Sequence, residues 1–256
     1  MAEISWNGEF GYELISVIPY ANFLMKNGLL ERTFGAIDSS VFYFFSPQHK
    51  EIFSRRIHRE PKEFPISYIH SPKPDFSQWT CPNYVKYIGD NFPSKISGKF
   101  IVINNKYQTE WNKPPINFIN IEVLREIISK LSQKFKIIYN RPEGWIVNDN
   151  SEILEFNDKK VIKSEFPDVI FMEDLRETGV TFNTLQCSIM CAASGFVSVQ
   201  GGSSILSSLW GKRNVIFSVE GGECDNNTYS WYNKFSSSEI LHAKKYDQLI
   251  SFVDHF

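Results

Sequence analysis

Apolar residues along this chain follow two rhythms, and the place of each rhythm sets the elements to expect. Short runs of β-branched and aromatic residues, bounded by glycine or polar positions, mark strands at Ala2–Trp6, Val41–Phe45, Phe100–Asn104, Phe135–Tyr139, Val169–Met172 and Phe196–Val199. Spacings of three and four mark helices at Tyr12–Leu24, Pro47–Arg56, Asn120–Gln133, Thr184–Ala193 and Tyr246–Asp254. In the most regular of them, Ile121, Leu124, Ile127, Ile128 and Leu131 share one face. Pro19 predicts a kink or early break in the first helix, because proline removes a donor and clashes with the preceding turn. Between these and about Gly98 the chain is rich in Pro, Ser and aromatics, with Ile66–Ile69 and Tyr84–Ile88 as further short elements.

One stretch organises the rest. After the strand Phe196–Val199, Gly201 and Gly202 break the pattern, Ser203 or Ser204 is a suitable N-cap, and Ile205, Leu206 and Leu209 form an apolar stripe that Gly211 ends. A strand at Asn214–Val219 follows. Strand, glycine turn, helix, strand is one crossover of a parallel sheet, and it leaves a helix N-terminus at the carboxyl end of a strand. Its N–H groups, with glycines allowing close approach, suit a phosphate or diphosphate; an ordinary tight turn is the bland alternative. From Lys99 onward the alternation is that of a doubly wound parallel sheet, and Ala2–Leu24 repeats the strand, loop, helix theme. The expected fold is α/β, with two Rossmann-like domains, residues 1–97 and 98–256, facing each other across a cleft.

Composition narrows the chemistry. The 256 residues carry a net charge of −2 and no basic run, so nothing suggests a nucleic-acid footprint. No stretch is long and apolar enough for a membrane span, and no N-terminal signal is visible, so a soluble, cytoplasmic protein is expected. Cys81, Cys187, Cys191 and Cys224 form no CxxC pair, and no His or Cys cluster has zinc spacing; free thiols and no metal are the expectation. The 22 Phe, 11 Tyr and 6 Trp serve either a heavy aromatic core or a ring-lined cleft.

These residues resemble the GT-B glycosyltransferases, in which one α/β domain holds the acceptor and the other a nucleotide sugar. Thr184–Phe217, with CAAS before the strand and GGSS after it, is similar to the donor diphosphate segment of metal-independent heptosyltransferases and fucosyltransferases. Gly8-Glu9-Phe10-Gly11-Tyr12-Glu13 resembles the first-domain glycine loop of fucosyltransferases. Those enzymes place His-x-Arg after the first strand of the second domain, whereas this chain has Asn104-Asn105-Lys106-Tyr107, a point charge in place of the bidentate fork. In length the chain is similar to the xylosyltransferases of large algal viruses, which implies a viral protein acting in host cytoplasm. The resemblance therefore implies a UDP-sugar such as UDP-xylose first and GDP-fucose second, a glycan acceptor, and no cofactor.

Glycosyl transfer needs a base, stabilisation of the departing nucleoside diphosphate and exclusion of water. The chain contains no D-x-D triplet to bind a metal, which favours N–H groups and cationic side chains in that role. Gln200, Gly201, Gly202, Ser203 and Ser204 are the diphosphate candidates, with Lys106, Tyr107 and Arg141 beside them. Glu9, in the acceptor-side loop of Gly8, Phe10 and Gly11, is the first candidate base and Glu13 the second; His49, His58 and His70 are alternatives. In-line displacement with such a base inverts the anomeric centre. Glu220-Gly221-Gly222-Glu223 is either a turn or a hydroxyl-binding loop, and Trp111–Pro115 either a lid or a packed loop. A dehydrogenase is disfavoured because GGSS lacks the G-x-G-x-x-G spacing. A non-catalytic nucleotide- or carbohydrate-binding module is the alternative function.

Overall fold

The computed structural model describes residues 1–65, 73–143 and 152–256 and contains two parallel sheets. The smaller has the order β1 (Ala2–Ser5), β2 (Leu30–Ala36), β3 (His49–Phe53), with Ile4 opposite Thr33 and Thr33 opposite His49. The larger is built from β4 (Phe100–Asn104), β5 (Lys136–Asn140), β6 (Ile170–Phe171), β7 (Gly195–Val199), β8 (Arg213–Phe217) and β9 (Ile240–Ala243). Its order is β6-β5-β4-β7-β8-β9. Every residue of β4 and β7 is buried, which is why both read as largely apolar runs, broken only by Ser198 and Asn104. The chain moves outward from β4 to β6, returns to the middle, and moves the other way from β7 to β9. Strand order thus reverses between β4 and β7, and in such sheets ligands bind in the crevice at the carboxyl ends of those strands.

The break expected at Pro19 does not occur. Helix α1 (Phe10–Tyr12) runs through a π-helical turn (Glu13–Val17) into α2 (Ile18–Lys26). Pro19 has no N–H for the carbonyl of Ile15, and the Trp79 indole donates to that oxygen instead, at 2.7 Å. The wider turn carries the backbone past the proline ring. Further on, α3 (Tyr84–Asn91) is capped by the Asn83 side chain, which accepts from the Lys86 N–H at 3.1 Å. Helices α4 (Ile121–Leu131), α5 (Asp158–Glu165), α6 (Phe182–Ala192), α7 (Gly202–Ser207), α8 (Gly222–Asp225) and α9 (Tyr246–Val253) surround the larger sheet.

Three readings are corrected. Val41–Phe45 is not a strand: Ser40–Tyr43 form a 3-10 turn that buries Val41, Phe42 and Tyr43, and the second strand is Leu30–Ala36, whose half-exposed Glu31 and Arg32 hide its pattern. Pro47–Arg56 is not a helix, because His49–Phe53 pairs with β2 as an edge strand whose exposed, charged side chains mimic a solvated helix face. Gly201, rather than Ser203 or Ser204, occupies the N-cap of α7, and the Ser204 hydroxyl donates back to the Gly201 carbonyl at 2.8 Å. The strand expected at Ile66–Ile69, and His70, lie outside the described residues.

The two halves share one apolar cluster, in which Ile4, Trp6, Ile15 and Phe42 pack with Ile205, Leu209, Trp210 and Tyr232. The opposite face of the larger sheet is closed by α4 and α9 through Ile101, Ile103, Ile127, Val197 and Leu249. α3 also crosses the sequence boundary, lying against α6 and the 3-10 turn Ser208–Trp210. All four cysteines are free, Cys187 and Cys224 among the core. Among the described residues no helix is long and apolar enough to cross a membrane.

Candidate functional site

The glycine turns of the two halves meet. A Cβ on Gly11 would stand 3.3 Å from Ile205 Cδ1 and 3.7 Å from the Gly202 nitrogen, and one on Gly202 would stand 2.9 Å from the Phe10 ring and 3.6 Å from the Gly11 nitrogen. The first turn of α1 rests on the first turn of α7, and a side chain on Gly202 would have to displace the Phe10 ring. Each first turn carries N–H groups without helical partners and a partial positive charge. Two such poles in contact favour a negative charge beside them. Glu9 stands at the N-cap of α1, with no side-chain cap bond of its own.

On the first half, the loop after β1 is held from behind. Arg56 donates to the Gly8 carbonyl at 3.1 Å, lies 5.1 Å from the Phe10 ring centre and pairs with Glu13 at 2.5 Å. Glu13 is wholly buried and also accepts from the Tyr43 hydroxyl at 2.9 Å. Burial pushes its carboxyl above the usual range, against the pull of Arg56 and Tyr43. This removes Glu13 from the candidate bases: its carboxylate faces the core and anchors the loop. Glu9 does face outward, and its carboxylate meets His58 Nδ1 at 2.5 Å. A carboxylate against an imidazole that is 75% exposed is a dyad able to take a proton from a bound hydroxyl. The Tyr12 phenol is pushed up by burial first, then by the charges of Glu9, Glu223 and Glu60.

On the second half, paired asparagines shape the end of β4. Asn140 donates to Asn104 at 2.7 Å, Asn104 donates to Ser207 at 3.0 Å, and the Asn105 side chain accepts from the N–H groups of Ile119 and Lys106 at 2.9 and 3.0 Å. Lys106 then projects toward the end of β7, its Nζ 3.7 Å from where a Gly201 Cβ would be. Gly201 has φ +112°, a conformation that strains any side chain. Lys106 and Gly201 therefore flank the point where strand order reverses. Lys106 pairs with Glu110, which also accepts from Asn117 Nδ2 at 2.7 Å. Gly201, Gly202 and Ser203 are half-exposed, whereas Ser204 is buried in its bond to Gly201.

Two expected donor contacts are engaged elsewhere. Arg141 makes a bidentate pair with buried Asp158 at 2.6 and 2.8 Å, and Tyr139 donates to the same carboxylate. Its fork thus ties β5 to the start of α5. Tyr107 stacks on Phe156 at 4.5 Å and meets Phe118 edge-on at 4.9 Å. Gln200, at the end of β7, donates to Glu223 at 2.6 Å. Sequence reasoning missed Arg56 and Glu110 and left Glu223 undecided. Arg56 lies 48 residues from Gly8 and Glu223 lies 23 from Gln200, so no local spacing announces them, whereas Glu110 stands four residues after Lys106, a spacing the sequence does show.

No family model matches the chain, and no curated protein matches it by sequence. Solved structures do share its fold. The ADP-heptose lipopolysaccharide heptosyltransferase II of E. coli aligns over 98% of both chains with a TM-score of 0.55 and 4% identity. A family 9 glycosyl transferase from Veillonella parvula covers 94% of this chain and 85% of its own, with a TM-score of 0.51 and 6% identity. The iron-containing dodecameric heptosyltransferase TibC of enterotoxigenic E. coli, solved with ADP-D-beta-D-heptose, covers 94% of this chain and 62% of its own at a TM-score of 0.51 and 11% identity. The chain has the two-unit parallel α/β fold of these GT-B glycosyltransferases.

Proposed function

We propose that this protein is a glycosyltransferase that takes a sugar from a nucleotide-sugar donor and passes it, with inversion and without a metal, to a glycan hydroxyl. Residues 1–97 form the acceptor side and 98–256 the donor side. One observation carries the reading: the first turns of α1 and α7 meet at Gly11 and Gly202 beside Lys106, at the reversal of strand order. That arrangement offers N–H dipoles and one cation to a diphosphate, where charge develops as the nucleotide departs. Gln200, Gly201, Gly202 and Ser203 supply the seat and Lys106 the charge, which the diphosphate takes over from Glu110. Glu9, with His58, accepts the proton of the attacking hydroxyl. Attack from the acceptor side, opposite the departing diphosphate, inverts the anomeric carbon.

The experiment is a titration of the full chain with UDP, GDP and ADP and with UDP-xylose, GDP-fucose and ADP-heptose, in EDTA, followed by anomeric analysis of the product by NMR. Binding of one nucleotide series with EDTA present and an inverted linkage are expected. Binding restored only by a divalent cation would overturn metal independence, and binding without transfer to any glycan would make the protein a binding module.

A further inference from the structure

A second feature lies beside the diphosphate seat and belongs to neither glycine turn. The segment after β4 folds back as a two-residue hairpin turn, in which Glu110 and Lys113 exchange N–H to carbonyl bonds at 3.0 and 2.8 Å. Its tip residues, Trp111 and Asn112, have φ +50° and +60°, a conformation bulky side chains rarely adopt. Nevertheless the tip is firmly tied down. Asn117 donates to Glu110 at 2.7 Å and to the Glu220 carbonyl at 3.2 Å, and its oxygen accepts from the Val219 N–H at 2.8 Å. Because β7 lies between β4 and β8, a hairpin that leaves β4 and is fastened to the loop after β8 must pass over the end of β7. It sets against Gly221 a tryptophan that is 54% exposed. A two-residue hairpin turn requires φ > 0 at both tip residues, which suits Asn112, and a tryptophan at the other is unusual.

Beneath the indole is a polar floor. A Cβ on Gly221 would fall 2.6 Å from the Trp111 ring and would also strike the Gln200 amide, so the ring and the amide adjoin at one point. Gln200 is 3% exposed; its nitrogen donates to the buried Glu223 carboxylate at 2.6 Å, while its oxygen has no hydrogen-bond partner among the described residues. A buried acceptor left open asks for a donor from outside the chain. An aromatic face beside a carboxylate and an amide matches a sugar ring: the polarised C–H face meets the electron-rich indole, and adjacent hydroxyls meet the oxygens.

We propose that Trp111, Gln200 and Glu223 form the subsite for the sugar ring of the donor. This deepens the functional reading above and rests on it. Gln200 is the edge of the diphosphate seat, with its amide oxygen still open, and the sugar is bonded to that diphosphate, so the ring has to lie within reach of both. Trp111 stacks on one face, Glu223 accepts from one hydroxyl, and the open oxygen of Gln200 accepts from its neighbour. These three residues, rather than the phosphate contacts, select which sugar is transferred.

The test compares each nucleoside diphosphate with its sugar conjugate, UDP with UDP-xylose, GDP with GDP-fucose and ADP with ADP-heptose, on the native chain and on Trp111→Ala, Trp111→Phe and Glu223→Gln. Calorimetry without acceptor should show Trp111→Ala and Glu223→Gln weakening the sugar conjugate tenfold or more, while the bare diphosphate stays within twofold. Trp111→Phe should recover most of the loss, since a ring suffices. Equal weakening of both ligands, or of neither, would overturn the subsite, as would a change confined to the KM for acceptor. A native chain that binds none of these nucleotides would instead bring down the functional reading itself, and this subsite with it. Unfolding curves for each variant check that the loss is local, and Glu223→Gln, nearly isosteric, keeps the test open if Trp111→Ala disturbs the turn.

Discussion

The two glycine turns that meet in this protein look alike in sequence and work differently. Around Gly8–Gly11 the cation, Arg56, lies behind the backbone, 8% exposed and paired with an acid that water does not reach. Around Gly201–Ser203 the cation, Lys106, stands in front, 19% exposed, beside a strand end whose glycine alone needs a left-handed backbone. A buried pair leaves neither partner free for a ligand, since removing either strands a charge. A half-buried lysine on a flexible stem can exchange one anion for another. The first turn is therefore a fixed wall that presents Glu9, and the second a seat with a movable charge.

The comparison breaks most visibly at Glu9. Glu9→Gln should slow transfer about 10²- to 10⁴-fold without weakening nucleotide binding. A His58→Gln variant that loses as much would move the proton to the imidazole. Next is Arg56→Met, expected to cost about 3–5 kcal/mol in urea unfolding, most of it recovered in Glu13→Leu/Arg56→Met. In the single variant, only the Tyr43 hydroxyl opposes the burial of Glu13. Its folded pKa, already above the ordinary 4.5 in the native chain, then rises further, so the stability linked to this group is full below 4.5 and lost as pH rises through the folded value. A profile unchanged from the native chain's would show that Arg56 was not what balanced the burial.

Lys106→Met sharpens the other side of the comparison. In a Glu110→Gln background, where no buried carboxylate is left unpaired, it should weaken the nucleoside diphosphate about tenfold, the worth of one charge-assisted contact, and leave unfolding nearly unchanged. A large loss of stability would make Lys106 a structural cation like Arg56. The smallest effect is expected at His49, whose ring stacks on Tyr43 at 4.5 Å and meets the Thr33 and Ser39 hydroxyls at 2.8 and 3.0 Å. Burial lowers its pKa below the ordinary 6.5, although Glu51 pulls upward. A depressed histidine stabilises fully above 6.5 and progressively less as pH falls below it. His49→Asn should flatten that acid limb, and an unaltered limb would assign it to other groups.

The amphipathic stripe Ile121–Leu131, the apolar runs of β4 and β7 and the double glycine at 201–202 determined the larger sheet by themselves, because each depends on residues close in sequence. The sequence likewise put Glu9 in a loop and Lys106 at a strand end. It left the smaller sheet misread, since β2 and β3 are recognised by pairing with each other and with β1, and an edge strand carries the charges of a helix surface. It also gave Glu13 and Arg141 the freedom of exposed groups. Only tertiary structure assigned Arg56 to Glu13 and Asp158 to Arg141, brought Gly11 against Gly202, and laid Trp111 beside Gln200, which in turn bonds Glu223. Local backbone preference is written in neighbouring residues, but the partner of a buried charge is decided by which distant segment the core brings alongside it.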